Sequence, residues 1–274
     1  MADQMAERNA SSAFLERKLE ADGFTIRYLE AGPQSGGAHA LICMHGAGGL
    51  RLSRMHEILA RTWRVIAFET PGFGTSKANE RSRDMAELAG SLCAAVAALG
   101  ITAYNLMGTS FGGKLATYMA LQEGEKLQSL ILISPAVFRP AERPPMATPE
   151  DRHKLMHAHP ERFPVTLSNP EVDSKQETLV RRLIGPPRDP ALEEKLPGLS
   201  VPTLVVFGTE DRLTPPEMAR CYRQHYGNAH LMLIYDAAHR VDLDRPEAVA
   251  EVVGDFLARK ERFLVSEQSG VIHP

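Results

Sequence analysis

Short apolar runs recur along the chain, separated by stretches in which apolar residues return every three or four positions. The runs at 40–44 (ALICM), 63–68 (WRVIAF), 104–107, 127–133 (LQSLILI), 203–207 (TLVVF) and 230–234 (HLMLI) are short and nearly continuous. That pattern predicts strands covered on both faces. Residues 24–30 (FTIRYLE) instead alternate apolar with polar, as a strand with one exposed face does. Helical spacing predicts helices over 52–61, 84–99, 115–121, 216–226 and 246–257, the second ending at Gly100. Strand and helix therefore alternate, which argues for a mostly parallel central sheet flanked by helices, an α/β architecture.

The alternation is interrupted once. From 136 to 196 the chain is rich in proline and charge and poor in strand character, with helical pieces near 150–158 and 177–184. A stretch of that length is too long for a simple loop in a compact domain, so it reads as an inserted helical lid. The expected organisation is a core of residues 1–135 and 197–274 carrying a cap of residues 136–196. Residues after about Arg262 read as a loosely held tail.

Composition narrows the function classes. With 274 residues, 43% of them hydrophobic, the chain can bury a full core. A net charge of -3 gives no electrostatic reason to expect nucleic acid or an anionic membrane as partner. Cys43, Cys93 and Cys221 are odd in number and form no C-x-x-C pair, as expected of reduced thiols in the cytoplasm. Residues 1–12 lack the apolar core of a secretory signal, and no run approaches the roughly 18 apolar residues of a membrane span.

Candidate chemistry lies where the strands end. The run at 104–107 leads into Gly108-Thr109-Ser110-Phe111-Gly112, a G-x-S-x-G pattern at a strand-to-helix turn. So tight a turn holds its central residue in a strained conformation and needs glycine where a Cβ would clash. Ser110 is thereby expected at the N-terminus of a helix, where free N–H groups favour negative charge. The same residues also spell G-x-x-x-x-G-K, ending at Lys114. A phosphate cradle of that kind continues with Ser or Thr, and Leu115 stands here instead.

The run at 40–44 enters His45-Gly46-Ala47-Gly48-Gly49, whose glycines let backbone N–H groups face a substrate oxygen. With the serine turn, this loop is a candidate half of an oxyanion hole. Asp211, with Glu210 beside it as the competing carboxylate, follows the run at 203–207, and His239 follows the run at 230–234. Because strands of a parallel sheet share one carboxyl edge, Ser110, Asp211 and His239 are expected to converge there. Asp236, Asp242 and Asp244 read as helix-entry or surface charges. His153, His157 and His159 have near metal-binding spacing, but without H-E-x-x-H or a supporting Cys they read as a solvated helix face.

HGAGG at 45–49, GTSFGG at 108–113, GTEDRLTP at 208–215 and AAHRVDLDRPEAV at 237–249 together resemble the α/β-hydrolase superfamily, in particular its lid-bearing serine esterases and carbon–carbon bond hydrolases. The resemblance covers roughly residues 24–260. It departs at the turn 69–76, which usually begins with Asp and here begins with Glu69. It implies Ser110 as nucleophile, Asp211 as triad acid and His239 as base. Phe111 and Ala47 would supply the oxyanion N–H groups, with Gly48 as the alternative to Ala47, and His45 would support the loop. No cofactor or metal is implied.

A mainly apolar pocket is expected, lined by Gly46, Gly48, Leu50, Phe111, Val137, Phe138, Leu155, Met156, Phe163 and Leu213. The leading functional expectation is hydrolysis of a small ester or related acyl bond through an acyl-serine intermediate. A carbon–carbon bond hydrolase of diketones or aromatic ring-cleavage products would use the same trio, with Arg139, Arg181 or Arg182 binding the substrate carboxylate. A slow-turnover or non-catalytic ligand receptor on the same fold is the alternative of another class. Oligomeric state is left open, a homodimer included.

Overall fold

The computed structural model describes residues 14–34, 40–142, 144–146, 148–165 and 169–265. Eight strands form one sheet: β1 (Leu15–Ala21), β2 (Phe24–Ala31), β3 (Ala40–Met44), β4 (Arg64–Phe68), β5 (Tyr104–Thr109), β6 (Leu127–Ile133), β7 (Thr203–Gly208) and β8 (Ala229–Ile234). Their order is β1-β2-β4-β3-β5-β6-β7-β8. The β1–β2 and β2–β4 pairs are antiparallel and the others parallel. Nine α-helices are described: α1 (Arg54–Ala60), α2 (Met85–Ala98), α3 (Phe111–Glu123), α4 (Pro149–Met156), α5 (Pro170–Leu183), α6 (Pro190–Glu193), α7 (Ala219–His225), α8 (Val241–Asp244) and α9 (Pro246–Arg259).

The continuous apolar runs follow from burial on both faces. Successive side chains of a strand point to opposite sides. Ile42 and Met44 accordingly join one core with Leu88, Leu92 and Leu115 from α2 and α3. Leu41 and Cys43 join the other with Met55, Leu59, Val253 and Phe256 from α1 and α9. At about 25 cal/mol per Å² of apolar area buried, these two layers provide the driving force that the run pattern encodes.

Strand β1 was not anticipated. LERKLEA carries four charges and is mostly exposed, so neither periodicity nor hydrophobicity marks it. It is a strand because Asp22-Gly23 closes a two-residue hairpin onto β2, with φ of 46° and 71°. At the other end, the expected tail is tied down as far as it is described. Phe263 is buried and packs edge-on against Phe256 with centroids 5.2 Å apart; residues 266–274 of the expected tail lie outside the described residues.

Residues 136–196 contribute α4, α5 and α6, and no strand among the described residues. Helix α5 begins at 170, earlier than the spacing suggested, because Asn169 caps it and Pro170 starts it. The segment is anchored to the sheet domain along its length. Gln176 Oε1 accepts from Gly74 N at 3.0 Å, and Lys114 Nζ donates to Ile184 O at 2.8 Å. Among the described residues, no helix is long and apolar enough to cross a membrane.

Candidate active site

Strand β5 delivers Ser110 at φ 53°, ψ -114°, in the left-handed half of backbone space that a side chain rarely adopts. The turn survives because its glycines leave room. A Cβ on Gly108 would stand 2.2 Å from Gly112 O, and one on Gly112 would stand 2.3 Å from Met44 O. Ser110 N donates to Ile133 O at 2.9 Å, and Ser110 O accepts from Ala136 N at 3.0 Å, which ties the turn to the end of β6.

His239 Nε2 lies 2.9 Å from Ser110 Oγ. The other ring nitrogen, Nδ1, lies 2.9 Å from Asp211 Oδ2 and 3.2 Å from Oδ1. Asp211 accepts as well from Leu213 N, Thr214 N and Thr214 Oγ1, at 2.9, 2.9 and 2.8 Å. Burial pushes the Asp211 carboxyl upward, but the adjacent imidazole and the Thr214 donors outweigh it and hold the group below the usual carboxylate range. Three residues separated by about a hundred and then about thirty positions thus form one hydrogen-bonded chain.

The loop after β3 turns between Gly46 and Gly49, with Gly49 N donating to Gly46 O at 3.2 Å. His45 braces it. Its Nε2 accepts from Thr70 N at 3.0 Å, so the ring proton sits on Nδ1, 2.7 Å from Gly46 O. Burial pushes the His45 pKa down to about 4, leaving the ring neutral. Among the described residues, no carbonyl accepts from the amides of Ala47 or Phe111.

A cavity of about 260 Å³ opens onto Ser110 and His239. Gly46, Gly48, Leu50 and Met156 line it, as expected, and Ala47 does too. Phe111, Val137, Phe138, Leu155, Phe163 and Leu213 do not, and the Phe111 side chain lies in the core. Val137 and Phe138 belong to the core, where Phe138 packs edge-on against Tyr222 at 4.8 Å. Phe163 stacks on His157 at 4.1 Å, Leu213 is buried beside Asp211, and Leu155, half-buried on α4, does not border the cavity. The cavity is also more polar than expected, because Arg51, His56, Arg152, Arg240 and Asp242 border it.

A model of the Alpha/beta hydrolase family matches residues 41–252. The chain belongs to the alpha/beta hydrolase family. Among its relatives, the 2-hydroxy-6-oxo-6-(2'-aminophenyl)hexa-2,4-dienoic acid hydrolase of Metapseudomonas resinovorans is 27% identical, over 94% of this hydrolase and 96% of that protein. A pimeloyl-[acyl-carrier protein] methyl ester esterase of Neisseria meningitidis is 29% identical, over 78% and 91%. The dihydrolipoyllysine-residue acetyltransferase component of the acetoin cleaving system of Cupriavidus necator is 30% identical, but over 50% of this chain and 36% of that protein. In structure, a meta-cleavage product hydrolase from Pseudomonas fluorescens IP01 superposes with a TM-score of 0.77 at 19% identity, over 88% of this chain and 97% of the other, which establishes the shared fold.

Several polar residues of this hydrolase have roles that differ from expectation. Asp244 is no surface charge: its buried carboxylate accepts from Ala158 N at 2.9 Å and Ala238 N at 2.8 Å, and lies 2.8 Å from His157 Nδ1. Asp242 is buried against Arg240, and Asp236 lies 2.6 Å from His159 Nε2. His157 and His159 are therefore contacts between the 136–196 segment and the core, while His153 bonds Pro160 O within the segment, so the three do not form a solvated face. Among the described residues, no group of three His, Cys, Asp or Glu could hold a metal ion. Lys114 turns its amine toward Ile184 O, away from the glycine turn that a phosphate cradle would use. Arg139 bonds Gly185 O, Arg181 bonds Glu177 and Arg182 bonds Asn79 O, so none of the three borders the cavity.

Sequence reasoning missed Thr214, His56 and Arg240. Thr214 was within reach, since an Asp-x-x-Thr run lets the hydroxyl fold back on the carboxylate. His56 and Arg240 had no comparable signal, because their meeting depends on how α1 packs beside α8.

Proposed function

We propose that this chain is a serine hydrolase that cleaves a small-molecule ester or related acyl bond through an acyl-serine intermediate. The reading rests on the unbroken line from Ser110 Oγ through the His239 ring to Asp211, each link at 2.9 Å. A serine hydroxyl is a weak nucleophile until a neighbouring base accepts its proton. His239 Nε2 takes that proton as Oγ attacks the carbonyl carbon, and Asp211 stabilises the resulting imidazolium and fixes its orientation. The tetrahedral oxyanion receives the amides of Ala47 and Phe111, a donor pair whose loss of one member typically costs about 100- to 1000-fold. Collapse expels the alcohol, which takes the proton from His239. Water then attacks the acyl-serine by the same route in reverse. Residues 136–196 serve as the lid, since Met156 and His157 border the cavity from that side.

A carbon–carbon bond hydrolase is the second reading. The dienoic acid hydrolase relative, matched over 94% of this chain, favours it. The engagement of Arg139, Arg181 and Arg182 elsewhere weighs against it, because none of the three expected to bind the substrate carboxylate borders the cavity. Comparing kcat/KM for p-nitrophenyl acetate with that for a ring-cleavage dienoate separates the two readings. The expected order places the ester first. Ser110→Ala is expected to abolish turnover with the fold intact by circular dichroism; near-normal activity removes Ser110 from the mechanism. Rapid labelling of Ser110 by a fluorophosphonate is expected, whereas a ligand receptor would bind without labelling.

A further inference from the structure

Two residues that border the Ser110 cavity each carry a side-chain donor without an acceptor. On α1, His56 Nδ1 accepts the backbone N–H of Ser53 at 3.1 Å. A backbone N–H can only donate, so Nδ1 carries the lone pair and the ring proton lies on Nε2. Burial pushes the His56 pKa down to about 4, so the ring is neutral. Arg240, next to His239, directs Nε and Nη2 at the two oxygens of Asp242, at 2.9 and 3.0 Å, which leaves Nη1 over. Among the described residues, neither His56 Nε2 nor Arg240 Nη1 has a hydrogen-bond partner. Both side chains border the same cavity as Ser110 and His239.

The charges around these donors indicate what they select. Asp242 is buried, and Arg240 holds its carboxyl ionised with a pKa of about 2 against the opposing effect of burial. The guanidinium charge is thus already matched, Asp244 adds a further negative charge within range, and His56 contributes none. A donor pair that, with Asp242 counted, carries no net positive charge of its own suits an uncharged oxygen better than a carboxylate. Cys43, Met44, Ala67 and Met107 supply apolar wall to the same cavity, suited to the hydrocarbon that joins such an oxygen to the scissile group.

We propose that His56 Nε2 and Arg240 Nη1 form a specificity subsite for an uncharged oxygen acceptor, a ketone carbonyl in particular, borne by the substrate away from the bond that is cut. The proposal rests on the serine-hydrolase reading. A site built to donate hydrogen bonds rejects an analogue lacking the acceptor, because its donors are then left unmatched.

The test compares matched esters by pH-stat: ethyl 4-oxopentanoate with ethyl pentanoate, and 4-oxopentyl acetate with pentyl acetate. Wild type is expected to prefer the ketone in at least one pair by about tenfold or more in kcat/KM. That preference is expected to fall below about threefold both in His56→Phe and in Arg240→Met/Asp242→Asn, where the second change avoids stranding a buried carboxylate. The wild-type comparison requires no variant to fold. A ratio near one in both pairs overturns the subsite, as does a preference that both variants retain. Faster hydrolysis of monoethyl succinate than of ethyl 4-oxopentanoate overturns the choice of an uncharged acceptor. Loss of the ketone preference with all four esters still cut leaves the serine mechanism standing. Wild type cutting none of them, or Ser110→Ala cutting them at the wild-type rate, overturns the mechanism itself.

Discussion

Around Asp211 the carboxylate is held by two amides and a hydroxyl before the imidazole is counted. Replacing it with Asn preserves the volume but allows the amide to present N–H where His239 needs an acceptor, favouring the wrong tautomer. Asp211→Asn is expected to lower kcat by about 10⁴-fold while KM changes little, measured on the best ester found. Asp211, Ser110 and His239 were readable in the sequence because each follows an apolar run and sits in a short motif. Thr214 escaped notice because a threonine in a loop has many uses. His45 yields a prediction of a different kind. Its folded pKa of about 4 lies below the roughly 6.5 of a free imidazole, and His56 shares that shift. Between those values the unfolded chain binds more protons, so stability is lost as pH falls from 6.5 toward 4. Urea midpoints at pH 7, 5.5 and 4.5 are expected to decline in wild type and to decline less steeply in His45→Gln. The buried carboxylate of Asp242, with its pKa near 2, contributes its change at lower pH.

The packing of α3 against β3 depends on an absent side chain. A methyl on Gly112 would meet the carbonyl oxygens of Met44 and His45, backbone atoms at the end of a central strand that cannot swing aside. Gly112→Ala is expected to destabilise by about 1–3 kcal/mol. Gly124→Ala, at the far end of the same helix with φ -52° and nothing within 4 Å, serves as the control and is expected to leave Tm unchanged or slightly raised. Elements whose side chains alternate between the two cores were legible, since burial on both faces leaves an uninterrupted apolar run. Strand β1 was not, because its partner supplies the pairing and its own residues face solvent. The Asp22-Gly23 dipeptide was the available sign, and it lies outside any hydrophobic pattern.

Across the whole molecule, Asp244 joins parts of the chain that composition alone set apart. Its Oδ2 receives both Ala158 N from the 136–196 segment and Ala238 N from the loop that carries His239, a reach of 86 positions in one case and 6 in the other. Asp244→Ala is expected to lower Tm by several degrees and to speed limited proteolysis within 136–196, with fluorophosphonate labelling of Ser110 retained. Unchanged cleavage would show that the other anchors hold the segment alone. The sequence revealed the segment through its prolines and charges, but not the contacts that seat it, since those depend on which loops the sheet brings together.

One of those contacts is a single backbone bond, from Arg240 N to Met156 O at 2.8 Å. It links the last residue of α4 to the immediate neighbour of His239. Under the proposed mechanism, a lid that opened by drawing Met156 off the cavity would tug on the peptide next to the His239 ring, coupling the entry of a molecule to the placing of the proton acceptor. On that reading the doorway and the relay would share a hinge.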